Sequence, residues 1–208
     1  MANARFTIPL LFTLLATTLA VGAGSSLAGC GGGSSSTSGD GGGGGSSSSG
    51  SSSGTCGLGA DGCFDYSAAC FKADAPVVSF KTDVLPILRT SCGLSSSCHN
   101  SENGPGGQHY LGPKNSDPAP TTAQIAHIFE LWINKPPVIK AGMNLITPSD
   151  PEHSFFMYKL DGLKCSNLAC TGDDCGTLMP QGATEKTLYD ADKRDTLRRW
   201  IAQGAKND

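Results

Sequence analysis

The chain has no basic excess. Its 15 Lys and Arg stand against 18 Asp and Glu, a net charge of −3 over 208 residues, which argues against a nucleic-acid surface. It has no apolar run of membrane-spanning length, because Gly22 to Ser26 break the stretch from Phe6 to Val21. No segment shows the alternation of a half-buried strand. No Ser/His/Asp set or paired carboxylates rise above chance, so a hydrolase has no support. Residues 92–120 and 165–187 are rich in Gly, Pro, Ser, Asn and Asp. Such segments cannot form a large apolar core by themselves, so cross-links or a bulky apolar ligand must compensate.

What is present begins with an export signal. Arg5 supplies the positive charge and Phe6 to Val21 the apolar stretch. Leu27-Ala28-Gly29-Cys30 then resembles a bacterial lipobox, which implies cleavage after residue 29 and lipidation of Cys30. Gly31 stands where an Asp would resemble an inner-membrane retention signal, so an outer-membrane lipoprotein is favoured over an inner-membrane one. Residues 31–55 are nearly all Gly and Ser, a composition that buries nothing and reads as a disordered tether of about 25–30 Å. The expected organisation is a signal peptide over 1–29, a lipidated Cys30 with its linker to 55, and one domain over 56–208. Residues 56–78 form a cysteine-containing extension of that domain.

Besides Cys30 there are eight cysteines, an even number in an exported chain, which points to oxidised or ligated thiols. Cys56, Cys63 and Cys70 form one cluster and Cys165, Cys170 and Cys175 another. These six are disulfide candidates, and sequence leaves their connectivity open. The spacing of the second cluster also falls near that of zinc ligands, although the exported setting favours disulfides.

Four helical segments are expected. Thr82 caps the first, which runs to about Ser91 with Pro86 tolerated in its first turn. Thr121 and Gln124 form a capping box for the second, whose Ile125, Ile128, Phe129, Trp132 and Ile133 recur at helical spacing before Pro136-Pro137. Ser149 and Glu152 suggest a box for a third, starting at Pro151, bearing Phe155, Phe156 and Leu160 and stopped by Gly162. The last starts near Asp190, turns Leu197, Trp200 and Ile201 inward and ends at Gly204. Trp132, Trp200 and Met157 read as core, and Lys193, Arg194, Arg198 and Arg199 as a solvated basic face. The fold class is a small, mostly α domain with long loops and disulfides.

The chemistry is concentrated at Cys98-His99, with Cys92 upstream and Met179-Pro180 far downstream. Two thiols and an adjacent histidine are what covalent haem attachment uses, and a later methionine completes a His/Met pair on iron. The usual run is C-x-x-C-H, whereas here five residues separate Cys92 from Cys98. A Cys92–Cys98 disulfide across a polar loop is the competing reading, and it excludes thioethers at the same sulfurs. Met143 is a weaker candidate ligand. His109, His127 and His153 read as non-ligands, with His109 the one to test as a substitute second ligand.

In series, several stretches resemble the class I-like cytochrome c modules of bacterial exported proteins over about 79–205. They are Ser79-Phe80-Lys81-Thr82-Asp83-Val84-Leu85-Pro86-Ile87-Leu88, Cys98-His99, Thr147-Pro148-Ser149-Asp150-Pro151-Glu152-His153-Ser154, Leu178-Met179-Pro180 and Arg194-Asp195-Thr196-Leu197-Arg198-Arg199-Trp200-Ile201-Ala202-Gln203-Gly204-Ala205. The resemblance implies a cytochrome c-like domain whose first and last helices pack together. It implies thioethers at Cys92 and Cys98, a proximal His99, a distal Met179, and haem c as cofactor. The implied function is electron transfer by a periplasmic or surface-anchored monohaem carrier, not an enzyme. Its partners would be a redox protein and, through Cys30, a membrane. The alternative is a haem-less, disulfide-stabilised surface lipoprotein that binds or scaffolds.

Overall fold

A computed structural model of the chain describes residues 57–102, 109–137, 139, 143–168 and 175–208. The export signal, Cys30, the tether, Cys56 and Cys170 lie outside them. Among the described residues there are helices and isolated bridges but no strands. A π-helical turn, Phe80–Val84, leads directly into α1, Leu85–Ser91. Then come α2 (Thr122–Trp132), α3 (Phe155–Asp161) and α4 (Ala191–Ala202).

The first helical segment starts earlier than Thr82 suggested. The Ser79 hydroxyl accepts the Thr82 N–H at 3.5 Å, and the Asp83 carboxylate accepts the Ser79 N–H at 2.8 Å. Proline 86 explains the wide turn. An α-helical ring here would drive the pyrrolidine into the Thr82 carbonyl, and winding by i→i+5, with Leu85 N–H on Phe80 C=O, relieves the clash.

Helix α2 carries its expected box, with Thr121 and Gln124 exchanging both hydrogen bonds. Helix α4 is capped by Asp190, which accepts the Lys193 N–H at 3.0 Å, and it ends two residues before Gly204. Helix α3 departs from expectation. It begins at Phe155 rather than Pro151, because residues 147–154 form a separate hydrogen-bonded turn. Ser149 sits at φ 67°, Asp150 accepts the His153 N–H at 3.0 Å, and the Ser154 hydroxyl donates to Asp150 C=O at 2.7 Å. Gly162, at φ 138°, does end α3.

One apolar core holds these pieces together. Phe80 packs on Trp200 at 5.4 Å and on Phe129 at 4.7 Å, so the first helical segment, α2 and α4 meet on one aromatic cluster. The C-terminal residues are tied to the segment that enters the first helix as well. Phe80 N–H donates to the Asp208 carboxylate at 2.8 Å, and the Gln203 amide takes the Val78 N–H and donates to the Ala73 and Pro76 carbonyls.

Of the basic face expected on α4, Lys193 is exposed, Arg194 and Arg199 are half-buried, and Arg198 is not solvated at all. Arg198 is fully buried, and its Nη2 donates to both Asp161 carboxylate oxygens, at 2.7 and 2.8 Å. Arg194 reaches the same carboxylate at 2.6 Å, and Arg198 also contacts Asp195. The Phe64 ring stacks on Arg198 at 3.5 Å, with Tyr66 and Phe71 around it. The extension thus covers α4 with aromatic rings, and a disulfide from Cys63 to Cys165 fastens it to the segment after α3.

Candidate functional site

The loop that carries Cys98-His99 is closed at its neck. Cys92 and Gly93 donate to Leu88 C=O at the end of α1, and the His99 N–H donates to Cys92 C=O at 3.1 Å. The six intervening residues therefore form a turn that returns His99 to the side of Cys92. Leu111 N–H on His99 C=O, at 2.8 Å, then holds His99 from the other side.

Met179 comes from the opposite direction. Its N–H donates to the Lys159 carbonyl at 2.7 Å, which sets the methionine loop against α3. Cys92, His99, His109, Trp132, Lys159 and Met179 thereby line one cleft, walled by apolar side chains from α2, α3 and the segment before α3, including Leu145, Phe155 and Phe156. The cleft opens to solvent, and the space within it and at its mouth totals about 780 Å³.

Its polar groups are few. The rings of His99 and His109 lie 6.4 Å apart at 35°. The Lys159 ammonium is buried and donates to Cys175 C=O at 2.7 Å, and burial lowers its pKa to about 8. Trp132 is buried, and its indole N–H has no acceptor among the described residues. Burial pushes the Cys92 thiol up to about 12, so it stays protonated.

The cysteines distribute differently from both sequence readings. Cys92 and Cys98 are not joined to each other: Cys92 is a thiol, and the Cys98 sulfur is in a disulfide. Cys98 is buried, with its sulfur 3.3 Å from the Ser95 hydroxyl, and does not line the cleft. Cys63 and Cys165 link the two clusters, and Cys70 and Cys175 are disulfide-bonded too. With Cys165 and Cys175 oxidised, the zinc reading loses two of its ligands.

Other residues fall where their chemistry sends them. His127 lies 3.2 Å from Glu102 and 3.5 Å from Glu130, and His153 lies 2.9 Å from Asp150, all on the surface. Met157 is core and Met143 packs on the core's edge. Trp132 is core, as expected, and also a wall of the cleft. Lys159 was missed. Its signal was a lysine four residues after Phe155 on the apolar stripe of a short helix, where a solvated lysine has no place.

Comparison with family models, with curated proteins and with solved structures finds no match for this chain.

Proposed function

We propose that the protein is a lipid-anchored, extracytoplasmic monohaem c-type cytochrome that transfers electrons. The observation that carries this reading is the convergence of Cys92, His99 and Met179 on one apolar cleft, although Met179 lies 80 residues beyond His99. The residues fit the group. The cleft offers a thiol, an imidazole and a thioether, apolar walls, and a buried Trp132 N–H in need of an acceptor. Lys159 adds a buried cation suited to a carboxylate on that ligand.

Bound haem supplies the one-electron Fe(III)/Fe(II) couple. His99 and Met179 would hold the iron, a donor pair that would raise its potential. Phe155, Phe156, Leu145 and Leu111 exclude water from the cleft. With His99 and Met179 both holding the group, the chain would carry electrons rather than perform bond chemistry. His109 is the alternative second donor, given its distance to His99.

The test is the visible spectrum and intact mass of the full chain matured with haem-attachment machinery. A Soret band and a mass gain of one haem are expected. Absence of both would refute the reading. His99→Ala and Met179→Ala should each shift the spectrum, whereas His109→Ala should leave it in place. The haem-less lipoprotein is the second reading, and the disulfide at Cys98 favours it, because that sulfur is not available to a vinyl group.

A further inference from the structure

The haem reading and the oxidised Cys98 conflict only if two thioethers are required. Of the six described cysteines, Cys63, Cys70, Cys98, Cys165 and Cys175 are in disulfides and Cys92 is not. The nine cysteines of the chain are an odd number, so pairing leaves at least one over, and Cys92 is unpaired at a particular place. It lines the cleft beside His99 and Met179, whereas Cys98 is turned out of that lining. The neck hydrogen bond from His99 N–H to Cys92 C=O puts the imidazole next to Cys92 without help from the Cys98 side chain.

We propose that the haem is held by a single thioether, made by Cys92, while Cys98 remains a structural disulfide. The inference rests on the haem reading above. The Cys92 S–H adds across one vinyl group: the sulfur bonds the vinyl carbon next to the ring, and the hydrogen goes to the terminal carbon. No electrons are gained or lost and nothing leaves. The second vinyl group stays intact. The five-residue gap then has a physical meaning, because a loop relieved of presenting a second sulfur to the ligand is free to lengthen.

Two measurements test this on the full chain. The first needs no haem: alkylation of the unloaded, unreduced protein under denaturing conditions, followed by peptide mass analysis. Label at Cys92 and none at Cys98 is expected, and label at Cys98 overturns the proposal. The second uses haem-matured protein. Its alkaline pyridine haemochrome should fall between those of free protohaem and of doubly attached haem, as one saturated vinyl group requires. Cys92→Ala should drop covalent haem from one per chain to none. Two saturated vinyl groups, or covalent haem surviving in Cys92→Ala, would overturn single attachment and leave the cytochrome reading standing. No haem in any form would remove both.

Discussion

Lys159 carries a positive charge into an apolar cleft with a backbone carbonyl, not a carboxylate, as its partner. Its pKa falls from 10.5 to about 8, so the folded state gives up the proton first. Between those values the unfolded chain binds more protons, and stability rises with pH. Above pH 10 the raised pKa values of Tyr189 and Tyr66 act in the opposite sense, which leaves a window from about 8 to 10. Denaturant unfolding at pH 7, 8, 9 and 10 should therefore show the wild type gaining on Lys159→Met, and parallel curves would contradict the assignment. Arg198 is the other buried cation, and carboxylates face it, although its Nε–H has no acceptor among the described residues. Asp161→Asn withdraws the carboxylate shared by Arg198 and Arg194, and should cost about 3–5 kcal/mol in a denaturant titration. Neither residue was legible as a core charge. Lys159 sits on a helix read for its Phe and Leu, and Arg198 sits in a basic run that looks solvated until Asp161 is brought beneath it.

At the scale of elements, caps were readable where both partners are local. Thr121 and Gln124 close on each other within one turn, so Thr121→Ala should cost about 1 kcal/mol, measured by thermal or chemical unfolding. The caps of the first and third helical segments were misread, because neighbouring groups a few residues away compete with the expected caps. Ser154 is engaged by Thr147 and Asp150, and Pro86 forces the widened turn that moves the start of the first segment back to Phe80. The loop after the cleft-lining residues has its own anchor. The Arg89 guanidinium on α1 donates to the carbonyls of Lys114 and Asp117 at 2.9 and 2.7 Å, holding a segment with almost no apolar content. Arg89→Ala should loosen it, read as faster amide exchange at residues 111–120 with α2 unchanged. Equal protection in both proteins would show that the loop holds itself.

For the whole molecule, a covalent link supplements the apolar core. Cys63–Cys165 spans 102 residues and binds the aromatic extension over α4 and Asp161. Replacing both cysteines by Ala should lower stability by about 2–5 kcal/mol and expose Arg198, seen as a lower midpoint in denaturant. By itself, the sequence determined the helical class, the four segments, the α2 box, the Asp190 cap, the need for disulfides and the placing of His99 and Met179 among the candidates. These rest on local periodicity, on hydrogen bonds within one turn and on composition. Only the tertiary structure decided which cysteines are oxidised, that Cys92 and Cys98 face different surroundings, that Arg198 is buried and that Lys159 and Trp132 join the cleft. Each of these depends on residues distant in sequence meeting in space, and no local pattern encodes such meetings.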